Sequence, residues 1–201
     1  MGCFILQSLR VLTKQHIVTL NILIDPQKYF IRGIMPKLSI VVSNRNRLKP
    51  NKGLTQFFSK SLSEQTNKDF QLVIVDDFSE NFVDIQDFFT KTNYPCKIIQ
   101  YKGDERFERA KLLNVGIRHC ATEYALSTDV DMYFAPDFVD LVLSHVNETN
   151  FVQSKTMYLN LQLANKLYGG APLNDCRYGR TKKYTTAGGC QCQHINNWRK
   201  I

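Results

Sequence analysis

Asp129 and Asp131 stand two residues apart, just after the apolar run Tyr124-Ala125-Leu126, in the stretch Ser127-Thr128-Asp129-Val130-Asp131-Met132-Tyr133-Phe134. Along extended backbone alternate side chains face the same side, so the two carboxylates point together. Paired hard oxygens suit Mg²⁺ or Mn²⁺, which bind through one or two carboxylates together with substrate phosphates. The chemistry on offer is therefore cation-assisted handling of a diphosphate. The same pair also occurs in ordinary solvated turns, so its meaning depends on its surroundings. Two more polar clusters follow apolar runs: Ser43 to Arg47 after Leu38–Val42, and Asp76-Asp77 after Gln71–Val75.

The elements that must position these residues can be read from periodicity. Leu38-Ser39-Ile40-Val41-Val42, Gln71 to Val75, Cys96 to Tyr101 and Glu123 to Thr128 are short, apolar and rich in β-branched residues, as buried strands are. Between them lie helical patterns: about Lys52 to Gln65 with Leu54, Phe57, Phe58, Ser61 and Leu62 on one face; a helix with Phe82, Ile85, Phe88 and Phe89 together; and about Phe107 to Cys120 with Ala110, Leu113, Ile117 and Cys120 inward. Pro136 opens another, with Phe138, Leu141, Val142 and Val146 apolar. Strand-helix alternation of this kind predicts an α/β domain with a mostly parallel central sheet flanked by helices. In such sheets ligands bind beyond the carboxyl ends of the strands. All three polar clusters stand at such ends.

Beyond Asn150 the pattern loosens. Phe151 to Ser154 reads as a strand and Leu159 to Leu167 as a short helix. Tyr168 to Lys183 reads as a long lid or binding loop, and Ile195 to Trp198 as the start of a helix. Ala187-Gly188-Gly189-Cys190-Gln191-Cys192 allows close backbone approach.

The 201 residues make one sizeable domain, or one with a short appendage. With 43% hydrophobic and 22% charged residues the composition is ordinary for a soluble globular protein. The net charge of +8 would attract anions, but the basic residues are scattered, so no nucleic-acid partner is expected. Six cysteines include no Cys-x-x-Cys pair, and no secretory signal is evident; reduced thiols and a cytoplasmic location are the expectation. Cys176, Cys190, Cys192 and His194 do not have a familiar structural-zinc spacing.

Residues 1–35 are moderately apolar, with Arg10, Lys14, His16, Lys28 and Arg32 breaking the runs, and Ile17 to Ile24 is far short of the ~20 residues of a membrane span. They are read as an N-terminal leader or edge extension; a peripheral membrane anchor is the functional alternative. Residues 36–201 form the domain proper.

Read together, these motifs resemble the GT-A fold nucleotide-sugar glycosyltransferases of the family 2 type, with local likeness to the β-1,4-galactosyltransferase group. The resemblance runs from about Lys37 to Ile201. It rests on Ser43-Asn44-Arg45-Asn46-Arg47; on Val75-Asp76-Asp77-Phe78-Ser79, where Phe78 replaces a usual Gly; on Phe107 to Gly116; on Asp129-Val130-Asp131; and on Ala187-Gly188-Gly189-Cys190. It implies a Rossmann-like single domain and transfer of a sugar, with inversion, from a UDP-sugar to a glycan or glycoconjugate. The implied cation is Mn²⁺ or Mg²⁺.

Residue by residue it implies Ser43, Arg45 and Arg109 on the nucleotide and Asp77 on the uracil N–H. Asp131 would hold the metal, and Asp129 the ribose or a metal-bound water. Gly188 and Gly189 would line the donor-sugar and acceptor pocket. Arg47 is a phosphate ligand or a solvated charge. Asp76 caps the next turn. The family's acidic base, placed shortly after the Gly-Gly stretch, has no counterpart before Ile201. The domain is therefore expected to be C-terminally truncated. Asp175 is the candidate base within the chain, and a binding module without transfer is the alternative reading.

Overall fold

The computed structural model describes residues 5–12, 17–24, 35–50, 53–103, 106–154, 161–168, 171 and 190–200. The strands are β1 (Ile5–Leu12), β2 (Ile17–Ile24), β3 (Leu38–Asn44), β4 (Phe70–Asp76), β5 (Cys96–Gln100), β6 (Tyr124–Thr128), β7 (Phe151–Gln153) and β8 (Cys190–His194). The helices are α1 (Gly53–Ser63), α2 (Phe82–Thr90), α3 (Arg109–Arg118), α4 (Phe138–His145), α5 (Leu161–Tyr168) and α6 (Ile195–Trp198). The eight strands among the described residues join one sheet in the order β1-β2-β5-β4-β3-β6-β8-β7.

Its centre, β5-β4-β3-β6, is parallel, because each of these strands is followed or preceded by a helix that must cross back over the sheet. Antiparallel strands complete both sides: the β1–β2 hairpin beside β5, and β8 with β7 beside β6. The expected α/β architecture with a parallel centre is what the chain adopts.

Every residue of β3 and β4 is buried. That requires cover on both faces, which explains why these strands read as continuous apolar runs instead of alternating ones. One face carries Leu38, Ile40, Val42, Leu72, Ile74 and Leu126 into a core with Phe58, Leu62, Ile85, Phe89 and Val139 of α1, α2 and α4. The other carries Val41, Val73, Val75 and Ile99 against Leu112, Leu113 and Ile117 of α3 and Ile195 of α6.

One expectation shifts. In α3, Ala110 is exposed, and the buried face is Leu112, Leu113, Gly116 and Ile117. A β-carbon on Gly116 would lie 2.4 Å from Val41 Cγ1 and 2.9 Å from Val75 Cγ2, so the small residue sets how closely the helix lies on the sheet. The segment Cys190 to Cys192, read only as allowing close backbone approach, is part of β8. Its alternation of Cys190 and Cys192 inward with half-buried Gln191 and Gln193 is the period-2 signature of a strand. Among the described residues no helix is long and apolar enough to cross a membrane.

Candidate functional site

Parallel register determines what meets at the carboxyl edge. Asn44 pairs with Asp76, and Val42 pairs with Thr128, so β3, β4 and β6 end side by side. The three polar clusters therefore emerge on one edge.

The β3–β4 corner is tied by a buried network. Asn44 Nδ2 donates to Asp76 Oδ1 at 2.6 Å and to Ser79 Oγ at 3.0 Å. The Ser79 N–H and Oγ–H donate to the two oxygens of Asp76 at 2.8 and 2.6 Å. The Asn44 side-chain oxygen accepts from the Arg47 and Leu48 N–H groups at 3.2 and 2.9 Å, and Ser79 Oγ accepts from the Asn46 N–H at 2.8 Å. Asp76 thus closes the turn, as its place two residues before Phe78 and three before Ser79 foretells. It is fully buried. Desolvation pushes its pKa above the usual carboxylate value, against the donors from Ser79 and Asn44 that favour the charged form. Asn44 and Ser79 were legible only as parts of motifs; an Asx-type turn, Asp76-x-x-Ser79, is the local signal that could have singled them out.

The network fixes two left-handed backbones, Asn46 at φ 55°, which Asn tolerates, and Phe78 at φ 54°, which strains so bulky a residue. It also aims Asp77 and the arginines. Asp77 is buried and accepts from the Gly103 N–H at 3.2 Å, and Arg45 Nε lies 3.5 Å from its Oδ2. Arg47 Nη2 is 2.9 Å from Asp131 Oδ2. Arg109 Nε, from the first turn of α3, is 2.6 Å from Asp129 Oδ1. Asp77 and Asp131 thus each meet an arginine from the segment after β3, and Asp129 meets one from α3. Arg47, open between two readings in the sequence, is bound to Asp131; Arg109 reaches Asp129 across the edge. Ser43 is buried at the end of β3. Along the outside of α3 runs a groove of about 640 Å³ lined by Tyr101, Glu108, Arg109, Lys111, Asn114 and Arg118. Asp175, Gly188 and Gly189 lie outside the described residues.

Among the described residues no group of three or more His, Cys, Asp or Glu side chains would cage a metal. A cation that is completed by substrate phosphates needs only one or two carboxylates. Asp129 and Asp131, with 43% and 41% of their side chains exposed, match that donor set in type and accessibility. Cys190 and Cys192 do not suit a zinc site: both are buried in the core, Cys190 Sγ lies 2.9 Å from Thr128 Oγ1, and burial raises both thiols, Cys192 to about 12.

The family model described as "Glycosyl transferase family 2" matches residues 39–193, which is most of the chain and all three clusters. An uncharacterized glycosyltransferase of Rickettsia conorii is 29% identical over 122 residues, covering 61% of this chain and 19% of the relative. One from Haemophilus influenzae is 28% identical over 118 residues, 57% of this chain and 37% of the relative. The chain thus spans well under half the length of either relative. Among solved structures it is similar to the apo form of the glycosyltransferase GlyE of Streptococcus pneumoniae, with TM-score 0.48 and 13% identity over 82% of this chain and 35% of that one. It is also similar to the mannosyltransferase PcManGT of Pyrobaculum calidifontis in complex with GDP-Man and Mn²⁺, with TM-score 0.45 and 20% identity over 55% and 32%.

Proposed function

The chain belongs to glycosyl transferase family 2, and from that premise we propose that its carboxyl edge binds a nucleotide-diphosphate sugar, UDP-linked, and transfers the sugar with inversion to a hydroxyl of a glycan or glycoconjugate. The observation that carries this reading is the set of arginine–carboxylate pairs on one edge: Arg45 with Asp77, Arg47 with Asp131, Arg109 with Asp129. Guanidinium groups are suited to phosphate oxygens, with which they form charge-assisted hydrogen bonds. In the resting edge they neutralise the acids; with donor bound they turn to the diphosphate. Asp77, sheltered from solvent, accepts an N–H of the base. Asp131 and Asp129 are the residues that would hold Mn²⁺ or Mg²⁺, whose contribution there is to offset charge building on the leaving diphosphate.

In the transfer the acceptor oxygen bonds to the anomeric carbon while the bond from that carbon to the diphosphate oxygen breaks. The electron pair leaves on the diphosphate, where the arginines stabilise it, and the hydroxyl proton passes to a general base. Asp175 is the candidate for that base, and Gly188 and Gly189 are the candidates for the sugar-facing wall. The likeness of Phe107 to Gly116 to the β-1,4-galactosyltransferase group belongs to the same proposal, since Arg109 is the residue of that motif that meets Asp129.

The test is thermal melting with UDP and a panel of UDP-sugars, with and without Mn²⁺. Ligand at 100 times its Kd adds about 2.7 kcal/mol to the folded state. UDP should raise the melting temperature in the presence of Mn²⁺, and Asp131→Asn should remove that rise while leaving the ligand-free melt unchanged. If no nucleotide stabilises the unaltered chain, the reading fails. Release of free sugar or a transferred product from a stabilising UDP-sugar separates an enzyme from a binding module.

A further inference from the structure

We propose that Phe78 is a positioning residue, an aromatic platform on which the flat base of the bound nucleotide stacks; this rests on the reading of the edge as a nucleotide-sugar site. Phe78 adopts φ 54°, the left-handed region that a bulky side chain rarely occupies. Glycine would take that conformation without strain, whereas an aromatic side chain is strained there. Strain held by surrounding structure points towards function, and here it is over-determined: both oxygens of Asp76 grip Ser79, the next residue, and Asn44 grips both.

What the strain maintains is an apolar ring with 55% of its surface exposed, directly after the buried carboxylate of Asp77. Burial does not explain the ring. Its only described aromatic-type contact is with Lys102, whose ammonium lies 5.4 Å from the ring centroid. Lys102 precedes Gly103, whose N–H holds the Asp77 carboxylate. Phe78 therefore follows directly on the carboxylate assigned to the base, and the loop that clamps that carboxylate also sets a cation over the ring. A π-face beside an N–H acceptor is the pair of contacts that orients a nucleobase: one contact grips its plane, the other its edge. A phosphate, charged and strongly hydrated, would gain little from the ring.

Calorimetric titration of uridine and UDP with Mn²⁺ present, on the unaltered chain and on Phe78→Gly, Phe78→Leu and Phe78→Tyr, tests this. Base–aromatic stacking is worth ~1–3 kcal/mol, so the Gly and Leu variants should weaken uridine and UDP alike by about fivefold or more. Phe78→Tyr should bind as the unaltered chain does. Phe78→Gly should melt no lower than the unaltered chain, because it relieves strain; a ring needed only for structure would give the opposite sign. Phe78→Leu keeps the strain and the apolar bulk but has no π-face, so it separates stacking from folding. Unchanged affinity in both the Gly and Leu variants overturns the proposal while leaving the nucleotide site standing. So does a loss confined to UDP, which would make the residue a phosphate-side contact, or full affinity in Phe78→Leu. If the unaltered chain binds neither uridine nor UDP, the proposal falls together with the reading beneath it.

Discussion

Asp76 and Asp77 are neighbours with different work. Asp76 is wholly buried and spends its oxygens on Asn44 and Ser79; Asp77 keeps one oxygen near Arg45 and one on the Gly103 N–H. Burial raises the Asp76 pKa in the folded chain. A carboxyl whose folded value is raised contributes stability that is fully present below its ordinary value and is lost as pH rises through the raised one. Asp76→Asn cannot titrate, and it turns a donor towards groups that already donate. The variant should therefore melt lower than the unaltered chain, and the gap between them should be widest in acid and narrow as pH rises across that window. Parallel melting curves of the two chains over pH check this; a gap that widens with pH would contradict a raised pKa for Asp76. The residues of the edge that are exposed, Arg47 and Asp131, add little to stability whatever they do for ligands, since partly exposed pairs are screened.

At the scale of elements, the distance between α3 and the sheet decides whether Arg109 reaches Asp129. Gly116 lies where α3 crosses β3 and β4, with Val41 Cγ1 and Val75 Cγ2 already within the reach of a β-carbon. Ala is the better helix former by about 1 kcal/mol, but overpacking a core costs ~1–3 kcal/mol, and the stiff valines cannot swing aside. Packing wins: Gly116→Ala should lower stability by about 1–2 kcal/mol in urea unfolding. Val41→Ala opens space for the new methyl, so the double variant should be more stable than the sum of the two single losses predicts. Strict additivity would mean that α3 does not rest on Val41. The helix phase itself was only partly legible, because Ala110 and Leu112 are both apolar; contact with β3 and β4 selects Leu112 and Gly116.

At the scale of the molecule, one sheet carries cores on both faces, and the thiols report on its cooperativity. Cys120, Cys190 and Cys192 are 3%, 1% and 0% exposed, and burial raises all three pKa values. Thiolates are the reactive form, so at mildly alkaline pH a thiol reagent should label them only through unfolding. Peptide mapping of the labelled sites should show the three reacting at one common rate. Faster labelling of Cys190 and Cys192 than of Cys120 would show that β8 opens independently of the parallel centre.

The chain's pattern alone determined the alternation of buried strands and helices, and with it the parallel centre, because strands covered on both faces must be continuously apolar and parallel neighbours need crossovers. It likewise placed Ser43 to Arg47, Asp76-Asp77 and Asp129 to Asp131 at strand ends. Tertiary structure alone decided the rest. Which arginine meets which carboxylate depends on register between strands some 32 or 84 positions apart in the chain. That Cys190 to His194 is a strand between β6 and β7 depends on finding a free edge to pair with. The left-handed turn at Phe78 arises from the closed network of Asn44, Asp76 and Ser79, which exists only once β3 and β4 lie side by side. Local periodicity is set by which side chains avoid water; partners across the edge are set by the folded sheet.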